Sequence, residues 1–172
     1  MSSAGRPAEG GIELRPFTEA DVPALVEACQ DPEIPRWTRV PTPYGEAEAR
    51  AFVAGHPNIY AFAVVDAETG ELLGSVGFGL AGEARGEFGY WVKREARGRG
   101  VASRALRLAA RRAVAEHGLR RLQLVVEPEN EASIRVAENA GFRREGLLRK
   151  YIEIRGERPD VYMYSLLAEE LE

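Results

Sequence analysis

Six residues near the middle of the chain, Arg97-Gly98-Arg99-Gly100-Val101-Ala102, have the types and spacing of an anion site. They follow a strand-like run ending in Tyr90-Trp91-Val92 and open a helix-like run from Ser103 to His117. Glycines at such a junction let backbone N–H groups turn toward one point, where the first helical turn adds unpaired donors and a partial positive charge. A phosphate or pyrophosphate suits that geometry, with Arg97 and Arg99 adding charge at its rim. The competing reading is an ordinary glycine-bearing turn beside a solvated arginine face.

Two familiar phosphate loops do not match. A dinucleotide-binding turn would place its first two glycines at Gly98 and Gly100 and its distal acid at Glu127, but its third position holds Ser103. That turn also follows the first strand of a parallel sheet, whereas an antiparallel meander precedes this one. A P-loop would end in Gly-Lys-Ser or Gly-Lys-Thr, which is absent here.

The elements that must position the loop can be read from periodicity. Ile12–Phe17 reads as a strand, and Ala20–Gln30 as a helix with Val22, Leu25, Val26 and Cys29 on one face. Residues 31–43 hold four prolines and Trp37 and read as an irregular loop; Gly45–Gly55 returns to helical spacing. Three strands follow at Tyr60–Asp66, Leu72–Gly79 and Gly86–Lys93, joined by short turns that make antiparallel neighbours. The helix after the glycine loop leads to a β-branched run, Arg121–Glu127, as a right-handed parallel crossover. A short helix over Asn130–Ala140, capped by Gly141, and strands at Leu147–Ile154 and Asp160–Leu167 complete the order. The expected architecture is mixed α/β, in the α+β manner. It has a central sheet of about seven strands, antiparallel in its first half with one parallel βαβ crossover, and about four flanking helices. Met1–Gly11 is small, polar and glycine-bearing, and is expected to be disordered, with one domain over residues 12–172.

Composition removes other classes. The net charge of −4 argues against a general nucleic-acid binder. No apolar run approaches a membrane span, and no signal-peptide core opens the chain. The single cysteine, Cys29, permits no internal disulfide, reads as a buried structural thiol and makes a cytoplasmic setting the default. One cysteine and two histidines leave little for a zinc site, so no metal is expected.

From Ile12 to Leu167 the chain resembles the GCN5-related N-acetyltransferases (GNAT). Their acyl-CoA loop has the pattern Arg/Gln-x-x-Gly-x-Gly/Ala, matched by Arg97, Gly100 and Ala102. Glu87-Phe88-Gly89-Tyr90-Trp91-Val92 upstream, and Asn130-Glu131-Ala132-Ser133 followed by Ala140-Gly141-Phe142 downstream, resemble most the branch containing ribosomal-protein alanine N-acetyltransferases.

The resemblance implies a GNAT fold in which the strand ending at Val92 splays from the strand over Arg121–Glu127. The pantetheine arm of acetyl-CoA, the implied co-substrate, would lie in the gap against backbone near Val92. Amides of Arg97, Gly98, Arg99, Gly100, Val101, Ala102 and Ser103 would hold its pyrophosphate, and Asn130 would touch the pantetheine or diphosphate region or else act near the helix N-cap. The reaction is attack of a neutral amine on a thioester carbonyl, which needs a proton acceptor for the amine and a donor for the leaving thiolate. Glu87, amid apolar and aromatic residues, is the candidate for the first task; a solvent-facing strand-end carboxylate is the alternative. Ser133 matches a serine the ribosomal branch is thought to use as an acid, although a serine in a first helical turn is also an ordinary cap. The tyrosine acid of many family members would fall at Ala137, and the glutamate base of the ribosomal branch at Ile152, with Glu153 one residue away on the opposite strand face.

Trp37, Tyr60 and Tyr151 are the candidate acceptor-lining aromatics. The implied partner is an amine-bearing acceptor, either a protein N-terminal α-amine or a small-molecule amine, and family behaviour allows a homodimer. The alternative function is a non-catalytic acyl-CoA-binding or regulatory module on the same fold.

Overall fold

The computed structural model describes residues 8–171. Its strands are β1 (Ala8–Glu9), β2 (Ile12–Pro16), β3 (Ile59–Asp66), β4 (Leu72–Leu80), β5 (Arg85–Val92), β6 (Arg121–Val126), β7 (Arg143–Leu148) and β8 (Val161–Leu167). Its helices are α1 (Val22–Ala28), α2 (Glu33–Trp37), α3 (Glu46–Ala54), α4 (Val101–His117) and α5 (Glu131–Asn139). All strands join one mixed sheet in the order β1-β2-β3-β4-β5-β6-β8-β7, in which β5–β6 is the only parallel pair among the described residues.

Two layers cover the sheet. The helix α4 buries Val101, Ala105, Leu106, Leu108, Ala109, Ala110 and Ala113 against it, and its run of alanines brings helix and strands close. Phe78, Phe88, Leu122, Leu124 and Tyr164 meet it from the sheet, with α5 alongside. On the opposite face, Val22 and Leu25 of α1 and Ala49 of α3 pack over Ala63, Val65 and Leu72. Gly118, in a left-handed conformation (φ +62°), ends α4 and returns the chain to β6.

The structure corrects four readings. Residues 8–11, expected to be disordered, form β1 and its turn into β2, with Ala8 opposite Glu13 and Glu9 paired to Arg107 and Arg111. The rest of that expectation, residues 1–7, lies outside the described residues. The proline-rich segment contains α2, because Pro32 and Pro35 fall where a first helical turn tolerates a missing N–H.

The strand expected over Leu147–Ile154 starts earlier, at Arg143, and stops at Leu148. Positive φ at Lys150 and Arg155 breaks the extended run despite Ile152 and Ile154. Ile152 and Glu153 therefore lie in the loop between β7 and β8, and the strand-face argument about them does not apply.

Candidate active site

The defining feature is a wedge between β5 and β6. The two strands pair only at Arg85↔Arg121, Gly86↔Leu122 and Glu87↔Gln123. Beyond that level β5 stays on β4 as far as Gly74↔Val92, while β6 stays on β8 as far as Val126↔Tyr162. The Lys93 N–H donates to Leu73 O at 2.9 Å, so by alternation Tyr90 and Val92 direct their backbone groups into the wedge, where no strand among the described residues meets them. An extended amide-bearing chain can pair there.

The glycine loop closes the wide end. Arg94–Ala96 form a 3-10 turn, Arg97 is extended, and Gly98 (φ +73°) and Gly100 (φ +70°) are left-handed. Gly100 is the N-cap of α4 and supplies no side-chain cap, and the first turn carries no acid. Among the described residues no side chain caps the early α4 amides, which are donors in a positive field, the arrangement a diphosphate requires.

The arginines divide their work. Arg97 turns inward, donating from Nε to Val92 O (3.0 Å) and pairing through Nη2 with Asp31 (2.8 Å), so it braces the loop and does not project at its rim. Arg94 also holds Asp31, at 3.0 Å. Burial would raise the Asp31 carboxyl, but Arg94, the Glu33 amide and Arg97 overcome it and leave it below the ordinary range. Arg99 remains exposed. Arg104, unnoticed in the sequence, donates to Arg99 O (2.6 Å) and Gly100 O (3.1 Å) and reaches the Gly10 carbonyl. Its i+4 spacing from Gly100 was the available signal.

Across the wedge, α5 presents Asn130 and Ser133. Asn130 is the N-cap, accepting from the Ser133 N–H at 3.1 Å. The capping role thus falls to Asn130, and the Ser133 hydroxyl lies 2.6 Å from Tyr90 Oη. Burial pushes the Tyr90 phenol up to about 12, partly offset by the Ser133 bond, so it is protonated at neutral pH. Val126, Glu127, Asn130, Ser133, Trp37 and Ile154 line a cavity of about 40 Å³ beside this pair.

Glu87 is half-buried at the closed end of the wedge, level with Gln123. Phe88 and Val92 join the core under α4, so alternation sends Glu87 to the opposite face, the one on which Trp91 packs toward α1 and α3. Glu87 and Ser133 therefore flank the wedge from opposite sides of the sheet.

The three aromatics separate. Trp37, its Nε1 donating to Glu33 at 3.1 Å, shares the cavity with Ser133. Tyr151 is exposed on an open groove of about 600 Å³ with Leu147, Arg149 and Asp160. Tyr60 stacks on Phe78 and His117, the last residue of α4, about 24 Å along the helix from the glycine loop. Its strand enters the sheet at the end remote from the loop, away from Trp37 and Tyr151. Cys29 is buried, and desolvation pushes its thiol up to about 11, against the opposing Tyr44 hydrogen bond; it is a structural thiol. Among the described residues no helix is long and apolar enough to cross a membrane.

Comparison with known proteins agrees with this geometry. Residues 12–143 match the family model for the acetyltransferase (GNAT) domain. N-acetyltransferase p20 of Bacillus licheniformis is 32% identical over 170 residues, spanning 92% of this chain and 94% of that protein. Mycobacterium smegmatis RimJ, solved in complex with CoA-disulfide, superposes with a TM-score of 0.82 at 26% identity, over 93% of this chain and 83% of that one. Spermidine N-acetyltransferase from Vibrio cholerae, in complex with CoA and spermine, has a TM-score of 0.81 over 94% of this chain and 98% of that one; at 22% identity it shows the fold alone. The open wedge, the uncapped loop and these matches have one meaning: the chain belongs to the GNAT family and is an acetyl-CoA-dependent N-acetyltransferase.

Proposed function

We propose that this protein acetylates a primary amine, either a peptide N-terminal α-amine or a small-molecule amine, by direct attack within a ternary complex. The observation that carries the reading is the wedge above Glu87↔Gln123, open between an uncapped helix N-terminus and the Tyr90–Ser133 pair. When bound, acetyl-CoA supplies the activated acyl group.

The chain's residues do the rest. Amides from Gly98 to Ser103 bind the diphosphate, and Arg104 and Arg97 keep the loop in its anion-ready shape. This local field matters because the protein is acidic overall, at −4. Backbone groups of Tyr90 and Val92 orient the arm, which turns a bimolecular encounter into a positioned one. Tyr90 Oη and Ser133 Oγ share a hydrogen bond that either can donate; when the phenol donates, Ser133 protonates the departing thiolate and recovers its proton from Tyr90, which is restored from water. Glu87 accepts the amine proton through water from the opposite face of the sheet. Asn130 holds the first turn of α5, and with it Ser133, in place.

The test is thiol release from acetyl-CoA with a panel of primary amines and N-terminal peptides, beside calorimetric binding of acetyl-CoA. Turnover with at least one amine class is expected. Tight binding with no turnover across the panel would overturn the reading in favour of an acyl-CoA-binding module.

A further inference from the structure

Glu127 follows the last residue of β6 and faces the cavity that holds Ser133, Asn130 and Trp37. Its side chain is only 14% exposed, and its carboxylate is met at 2.6 Å by Arg155. A carboxylate withdrawn from water needs a cation beside it. That cation comes from the loop over residues 149–160, outside the sheet.

The Arg155 position is itself unusual. Ile154 and Glu157 exchange backbone hydrogen bonds of 2.8 and 3.0 Å around Arg155-Gly156, and both central residues have positive φ, +55° and +75°. Such a two-residue turn ordinarily carries Asn-Gly or Gly-Gly. Arginine is held there against its own preference, and the contact it makes is the one to Glu127. The neighbouring Ile154 walls the cavity.

About 40 Å³ holds a water, not an acceptor amine with its attached carbons. An acceptor that reaches Glu127 through this cavity competes with Arg155 for its carboxylate, and displacing the guanidinium breaks the ion pair. Glu127 is then left as a charge with little solvent, unless the incoming group is also a cation.

We propose that Glu127 is the docking carboxylate for the ammonium form of the acceptor, which gives up its proton through water to Glu87 before it attacks, and that the Arg155 guanidinium is its built-in stand-in, exchanged when the acceptor enters. The substrate class is accordingly amines that are protonated at neutral pH, in preference to neutral arylamines. This rests on the transferase reading above.

The experiment compares benzylamine, a cation at neutral pH, with aniline, which is neutral, in the wild type, Glu127→Gln and Arg155→Ala. Glu127→Gln is expected to raise the benzylamine KM about tenfold and leave that of aniline within about twofold, as loss of a charge pairing would. Arg155→Ala is expected to lower the benzylamine KM, since the competitor is gone. Parallel changes for the two amines, or a benzylamine KM raised by Arg155→Ala, would overturn the proposal.

A second readout does not depend on turnover. Hydrogen exchange across residues 149–160 should quicken in both variants; unaltered exchange sinks the latch. A wild type that binds acetyl-CoA but acetylates no amine at all would instead defeat the transferase reading, and the exchange result would still judge the ion pair.

Discussion

Tyr90 Oη lies 2.6 Å from Ser133 Oγ, tying the free flank of β5 to the first turn of α5 across the wedge. The phenol also approaches the Ser133 carbonyl, at 3.3 Å. Protonated, it can donate to the serine hydroxyl or to that carbonyl, and it can accept from the serine.

Tyr90→Phe should lower turnover by about tenfold, the value of one well-placed hydrogen bond, with acetyl-CoA affinity little changed. Ser133→Ala should cost at least as much. If the two hydroxyls form one relay, the double variant is no slower than the worse single variant. Steady-state kinetics with calorimetry check this; fully additive losses would show that the groups act independently.

Gly100→Val should weaken acetyl-CoA binding about tenfold. A Cβ at this position would meet only Arg104 Nε, at 3.9 Å, so space is not the obstacle. The obstacle is φ of +70°, which costs a side-chain-bearing residue roughly 1–2 kcal/mol, and relaxation would swing the α4 amides off target. Calorimetric titration with acetyl-CoA measures it, and an unchanged dissociation constant would count against the loop.

Glu87→Gln should reduce kcat at every pH while sparing cofactor affinity, because the residue sits at the closed end of the wedge, away from the glycine loop. A pH–rate profile identical to that of the wild type would remove Glu87 from the proton path.

Arg121 and Glu145 staple β6 to β7 across β8 with hydrogen bonds of 2.8 and 2.7 Å, and Ser165 adds one at 2.6 Å. Arg121 chiefly, then Ser165, holds the Glu145 carboxyl down at about 2. A depressed folded-state value means the stabilisation is present above the ordinary value of 4.5 and is lost as pH falls toward 2. Because both side chains are about a third or more exposed, the effect is modest. Thermal melts of Glu145→Gln against wild type should differ most near neutrality and converge in that acid window; a constant gap would refute the linkage.

Much of this was legible in the chain. The glycine loop, the meander and the long crossover helix declared themselves through turn residues, period-two alternation and an apolar stripe, all of which act over a few neighbours. The helix α2 was hidden by prolines that suit a first turn, and β7 was displaced by isoleucines in a segment whose backbone turns left-handed. Tyr60 is half-buried and stacks on Phe78 of the neighbouring strand, a contact no local pattern announces.

Local conformation was thus settled by the residues themselves, since glycine freedom, helix caps and side-chain alternation are properties of short stretches. Which groups meet was settled only by folding. Tyr90 reaches Ser133 across 43 positions and Arg155 reaches Glu127 across 28, and the wedge opens because β5 and β6 part company after Gln123 while each keeps its outer partner. Such meetings depend on the register of strands far apart in the chain, which no local pattern encodes.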